Sequence, residues 1–299
     1  MDANRSMARA PAIFILSFLL FLSTPGPVAG QTEPGMVFGV TPWGASTDLK
    51  NNYAPLISHL GKELNMEVEF VVARSYEELS QRLADEAVDI GFFSPQSYVV
   101  AKRRVPDLKY IVSLMKENEN GQLSDHYYGI VISLKESGFQ TLGDLKNKRF
   151  GFTNRTSASG YLYPRSLLSK NGIVPEKFFS NVFMLNRHDK LIDALVNRSI
   201  DAGATFDGNL SIAVEKYGDI FREIARTPPI PLDACAAGPH VSDEDVARVE
   251  SILLEVNRNA ELLRSLKESQ FPYAGFSLQE DSFYDVVRDL NSDGIADSP

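Results

Sequence analysis

Residues 156–160 read Thr-Ser-Ala-Ser-Gly, with three hydroxyls in four positions ahead of a glycine and an apolar run. Such a cluster supports three kinds of chemistry. A single hydroxyl caps a helix, a serine near a histidine and an aspartate acts as a nucleophile, and several convergent donors cradle a tetrahedral oxyanion. The cradle gains from the free N–H groups and the dipole at a helix N-terminus. Gly160 leaves room for close backbone approach, and Pro164 is tolerated only in a first turn, so the helix is expected to begin near Ser159. These residues alone leave cap and cradle evenly matched.

The remaining polar candidates are scattered along the chain. His188, followed by Asp189, stands at a strand-to-helix junction and would donate a hydrogen bond to an oxyanion, charge-assisted if protonated. It would serve equally as a capping or surface histidine. Tyr76 opens an amphipathic segment, and Trp43 follows the first strand as either a cleft wall or a core residue. Ser94, ahead of Pro95, is a donor or a cap. Asp207 and Asp233 would repel or select a ligand carrying a positive group, whereas Asp89 and Asp201 begin their strands and read as structural. No G-x-S-x-G elbow surrounds Ser157 or Ser159, which leaves a serine hydrolase using His188 as a remote alternative and no residue assigned to catalysis. The four histidines (59, 126, 188 and 240) and the single cysteine show no zinc spacing, and the acidic residues form no calcium loop. Neither a metal nor a cofactor is expected.

The elements that must position these residues alternate. Strands are expected at 36–41, 66–72, 87–93 and 108–114, with helices at 49–64 and 76–85. A second series has strands at 127–133, 148–153, 182–185 and 199–206, with helices at 159–170 and 188–197. The phrases AVDIGFFSPQ (87–96) and SIDAGATFDG (199–208) echo each other. This pattern predicts α/β architecture with largely parallel sheets, arranged as two similar lobes. In open α/β sheets ligands sit beyond the carboxyl ends of strands, which places Trp43, Ser94, residues 156–159 and Asp207 at a cleft. A helix is expected at 246–256, and residues 292–299 read as a frayed tail.

The composition is that of an ordinary globular chain, 43% hydrophobic with net charge −9. Only Lys102-Arg103-Arg104 forms a basic cluster, so nucleic acid is not an expected partner. At the N-terminus, Arg5 and Arg9 precede an apolar run at 12–22 and small residues before Gln31. Residues 1–30 are therefore expected to be a cleavable secretory signal peptide, with no lipid-bearing cysteine behind it. An acidic exported chain with one cysteine fits a bacterial periplasm, not embedded in the membrane after cleavage.

The order SYEEL (75–79), VDIGFFSPQSYVVA (88–101), DLKNKRFGFTNRTSASGYLYP (144–164), RHDKLIDAL (187–195) and PPIPLD (228–233) resembles the phosphate, phosphite and phosphonate-binding periplasmic proteins of ABC transporters. The resemblance implies a type II periplasmic binding protein with a ligand cleft between two α/β lobes joined by two hinge segments. Lobe 1 would comprise 31–126 and 232–299, and lobe 2 would comprise 127–231. It implies that Tyr76, Ser157, Ser159 and His188 meet the oxygens of a small phosphorus oxyanion. Ala158 stands where the family often has threonine, so that either Thr156 supplies the missing hydroxyl or the cradle takes a somewhat different anion. Asp233 matches an acidic position that meets the amine of aminoalkyl phosphonates in some members. Phe93 replaces a tyrosine of such members, and near Asp207 and Gly208 an expected glutamate is missing. The expected partner is an ABC permease or, as the alternative role, a membrane sensor histidine kinase.

Overall fold

The structure, a computed structural model, describes residues 35–118, 121–270 and 272–292. The expected signal peptide lies outside these residues. The chain opens with β1 (Met36–Val40), β2 (Val68–Val72), β3 (Ile90–Phe93), β4 (Lys109–Glu117) and the short β5 (Leu123–Ser124). It continues through β6 (His126–Leu134), β7 (Arg149–Phe152), β8 (Asn181–Met184), β9 (Ala202–Phe206) and β10 (Phe221–Pro231), and ends with β11 (Ala234–Ala237) and β12 (Gly275–Ser277). One sheet has the order β12-β4-β11-β3-β1-β2, with β5 on β4, and the other has the order β10-β6-β9-β7-β8. The chain thus fills the first sheet, crosses to the second and returns, giving a mixed α/β fold with two lobes.

The sheets are less parallel than the alternation suggested. β1 pairs in parallel with β2 and β3, and β7 with β8 and β9. β11 runs antiparallel to β3 and β4, and β6 antiparallel to β9 and β10. The cause is connectivity: a strand entering from the other lobe needs no crossover helix, and so is free of the direction that βαβ units impose. At this crossing Leu232 N donates to Asp125 O at 2.7 Å, which ties the two segments together.

The sequence echo corresponds to equivalent topology. β3 and β9 each follow an amphipathic helix, lie beside the parallel strands of their sheet, and lead directly into a helix. Their leading aspartates are structural, as expected. Asp89 accepts from Val37 N at 2.6 Å and pairs with His240 Nε2 at 2.9 Å. Asp201 accepts from Arg149 N at 2.8 Å and from its guanidinium. Each satisfies a backbone donor at the end of the sheet remote from the following helix, where a buried orphan would be unfavourable.

Helix Ser46–Leu64 packs Leu49, Tyr53, Leu56, Leu60 and Leu64 into the first core, beside Phe38, Val40 and Phe92. The segment read as a frayed tail begins inside helix Asp285–Ser292, of which Ser292 is the last residue. Asn291 exchanges two 2.7 Å hydrogen bonds with Gln96, both side chains buried. Residues 293–299 are outside the described part.

Candidate ligand-binding site

The hydroxyl turn has an unusual winding with a sequence cause. Ser157 Oγ accepts from Gly160 N at 3.0 Å, and Leu162 N donates to Ser157 O at 3.1 Å, a five-residue turn wider than an α-helical one. The wide turn passes into helix Tyr163–Lys170, with Pro164 in its first turn as expected. Gly160 is required because a Cβ there would lie 1.8 Å from Thr153 Oγ1. The close approach that Gly160 permits is therefore to the preceding strand end. Ser157 is a cap, and the N–H groups of Ala158 and Ser159 have no intrahelical acceptor by position.

A cavity of about 570 Å³ lies over this turn, between the sheets. Of the expected residues, Trp43, Tyr76, Ser94, Ser157, Ser159, His188 and Asp233 line it. They come from both sheets, so the cavity is an interlobe cleft. The Tyr76 hydroxyl faces the Ser157 side chain, and the Tyr127 hydroxyl faces that of Ser159. Each serine of the turn thus has a buried tyrosine hydroxyl beside it as a second donor for an oxyanion.

Phe93, Thr156, Ala158 and Asp207 do not line the cavity. The side chains of Phe93 and Ala158 are fully buried in an apolar cluster with Leu79, Tyr98 and Leu162. Ala158 therefore has only its backbone N–H to offer. The Thr156 hydroxyl is 2.6 Å from Asn154 Oδ1 and 3.2 Å from Glu77 Oε1, so it does not replace the hydroxyl that Ala158 lacks. Asp207 is paired with Lys116, which neutralises it.

His188 is buried, and its environment fixes its charge. Burial pushes its pKa down to about 3, so the ring is neutral and the charge-assisted bond expected from the sequence is not available near neutrality. Nδ1 lies 2.9 Å from Thr205 Oγ1, which accepts from Asn209 Nδ2 at 3.0 Å. Asn209 Nδ2 also reaches His188 O, which fixes the orientation of its amide. Nε2 points toward Ser157 Oγ, 3.5 Å away, so each ring nitrogen faces a hydroxyl that can donate or accept.

Asp233 is buried on the cavity wall, and Tyr273 donates to its Oδ2 at 2.7 Å. Burial pushes its pKa up to about 7, against the lowering effect of the Tyr273 hydroxyl. Tyr127, Tyr273, Phe206, Asn209 and Lys116 also line the wall, as do the charged residues Asp48, Asp189, Glu215 and Lys216, and none of them was singled out as a ligand residue from the sequence. Phe206 faces the His188 ring edge-on with centroids 4.8 Å apart, and Trp43 and Tyr127 are similarly edge-on to it at 6.2 and 6.0 Å. An aromatic at a strand end, one residue before Asp207, was the available signal for Phe206.

The cleft is closed. His188 N donates to Trp43 O at 3.2 Å, Ser94 Oγ reaches Thr156 O at 3.4 Å, and Lys116 pairs with Asp207 across the gap. Ser94 also accepts from Ser97 N, so it caps its helix as well as facing the cleft.

Residues 38–284 match the family model described as ABC transporter, phosphonate, periplasmic substrate-binding protein. The phosphate-import protein PhnD of Mycolicibacterium smegmatis is 30% identical over 181 residues, 58% of this chain and 56% of that protein. The tetrathionate sensor histidine kinase TtrS of Salmonella typhimurium is 21% identical over 164 residues, 55% of this chain and 28% of that protein. The chain thus matches about half, and about a quarter, of the lengths of these relatives. Among solved structures, PhnD1 of Prochlorococcus marinus in complex with methylphosphonate aligns with a TM-score of 0.77 at 18% identity, over 86% of this chain and 97% of that one. The fold is that of type II periplasmic binding proteins.

Proposed function

The chain belongs to the periplasmic substrate-binding proteins of phosphonate ABC transporters, and on that premise we propose that it captures a small phosphorus oxyanion by hinge closure and presents the closed form to a membrane permease. The ligand class is phosphonate, phosphite or phosphate. The lobes 31–126 with 232–299, and 127–231, are the closing bodies, and residues 1–30 direct export to the periplasm. Among the described residues no helix is long and apolar enough to cross a membrane.

One observation carries this reading. The start of the wide helix, with Ser157 and Ser159, meets the His188 Nε2 edge and the Tyr76 hydroxyl from the opposite lobe in a single closed cavity. These donors suit an anion with several oxygens. Trp43 and Phe206 supply an apolar wall. Closure follows from differential affinity, because only the closed form brings the tyrosine and the serine turn onto one ligand.

The hydrolase alternative has less support. Ser157 and His188 are at nucleophile–base distance, but Thr205 stands where the orienting carboxylate of a triad would be. An imidazole held near pKa 3 is too weak a base at neutral pH. A sensor role would use the same cleft and closure, and the similarity to a kinase supports it over only a small part of that protein.

Calorimetric titration with phosphite, methylphosphonate, aminoethylphosphonate, phosphate, sulfate and arsenite tests the proposal. Binding of at least one phosphorus oxyanion is expected, and silence toward all of them would overturn it. Neighbouring genes for an ATPase and permease, rather than a kinase, separate transport from sensing.

A further inference from the structure

The least expected group in a cavity built for an anion is a carboxylate. Asp233 lies on the return segment between the lobes, 7% exposed, with its carboxyl on the cavity wall. Tyr273 is its hydrogen-bond donor among the described residues. The groups close enough to feel its charge are Tyr53 and Tyr76 from the first two helices, Tyr127 of β6, Tyr273 before β12 and Tyr284. Cys235, two positions along the chain, is buried with its thiol pushed up by burial. All of these are neutral near pH 7. Lys116 reaches the same cavity but is paired with Asp207, and His188 is neutral. Lys216 and the carboxylates Asp48, Asp189 and Glu215 also line the cavity, but none of them is among the groups that act on Asp233. No cation acts on the carboxyl to offset it.

Two anions in contact with no cation beside them repel, and a proton between them turns the repulsion into a hydrogen bond. We propose that one proton is shared between the Asp233 carboxyl and the bound phosphorus oxyanion, so that the pocket takes its ligand together with a proton. Resting on the oxyanion reading above, this makes Asp233 a specificity-determining residue of the same site. Above neutrality the free protein and a dianionic ligand are both deprotonated. On binding, one proton then comes from solvent and ends between an Asp233 oxygen and a ligand oxygen. No bond other than that O–H forms or breaks. Deprotonation of Asp233 in the empty cavity is held back by the same burial that makes the proton necessary.

The test is phosphite titration by calorimetry near pH 8.5, in two buffers of unlike ionisation enthalpy. About one proton taken up per phosphite bound is expected, and the affinity should fall about tenfold per pH unit above neutrality. Asp233→Asn supplies an amide donor and should abolish the proton uptake and flatten the pH profile. Tyr273→Phe removes the donor to Oδ2 and should keep the uptake while moving the break in the profile to higher pH. A melting curve establishes that each variant is folded. Phosphite binding with no proton uptake in the wild type, or an Asp233→Asn protein that keeps the wild-type pH slope, would overturn the proposal. A uniform loss of affinity at every pH in Asp233→Asn would do the same, since that is the mark of a merely structural residue. Absence of phosphite binding, by contrast, bears on the oxyanion reading itself and is seen in the wild type before any variant is compared. If another phosphorus oxyanion binds instead, the same two-buffer measurement with that anion decides between the outcomes.

Discussion

Ser157 Oγ lies 3.5 Å from His188 Nε2 while the same oxygen accepts a hydrogen bond from Gly160 N at 3.0 Å. One hydroxyl therefore closes the first turn of a helix and faces a buried imidazole nitrogen. Cap and cradle, alternatives in the sequence, are two uses of one atom.

The two serines of the turn should separate these uses. Ser157→Ala is expected to lower the stability of the ligand-free protein by about 1 kcal/mol, the usual strength of a helix cap, and to weaken oxyanion binding as well. Ser159→Ala is expected to weaken binding while leaving the unliganded melt nearly unchanged, because Ser159 lines the cavity and is not the helix cap. Denaturant titration and calorimetry on both variants check this. An unchanged affinity in both would remove the serine turn from the site.

His188 makes the protein acid-sensitive. Its folded pKa, about 3, is below the unfolded value of 6.5, so its contribution is present above pH 6.5 and is lost as pH falls toward 3. Between pH 7 and pH 5 the loss is about 2 kcal/mol, from the 1.36 kcal/mol that each pKa unit represents. His188→Gln, measured by urea unfolding at both pH values, should lack this part of the acid destabilisation. A variant with the wild-type acid dependence would mean that the imidazole does not stay neutral in the fold.

The pair Lys116–Asp207 bridges the lobes, with both side chains less than one-fifth exposed. Lys116→Met and Asp207→Asn are each expected to weaken ligand binding by destabilising the closed form. The double variant should be no worse than the poorer single one. A double-mutant cycle on affinity should give a coupling on the order of 1 kcal/mol, above that of an exposed pair. Additive effects would mean that the ion pair does not contribute to closure.

The sequence by itself determined what local constraints carry. Pro164 with Gly160 set where the helix begins, the alternation of apolar runs yielded the strands and helices, and Asp89 and Asp201 were read correctly as strand-end supports. Seven candidates, including Ser157, Ser159, His188 and Asp233, do meet in one cavity because each sits beside a helix start or a strand end, where the fold places clefts. The tertiary structure alone decided which way side chains face. Phe93 and Ala158 turn into the core, since their orientation follows from packing between segments rather than from their neighbours in sequence. Tyr127 and Tyr273 reach the cavity from chain positions 146 residues apart, and Asp207 is neutralised by Lys116 across 91 residues. Charge was decided the same way: the neutral His188 and the reluctant Asp233 acid are products of burial, and burial exists only once the chain has folded around them.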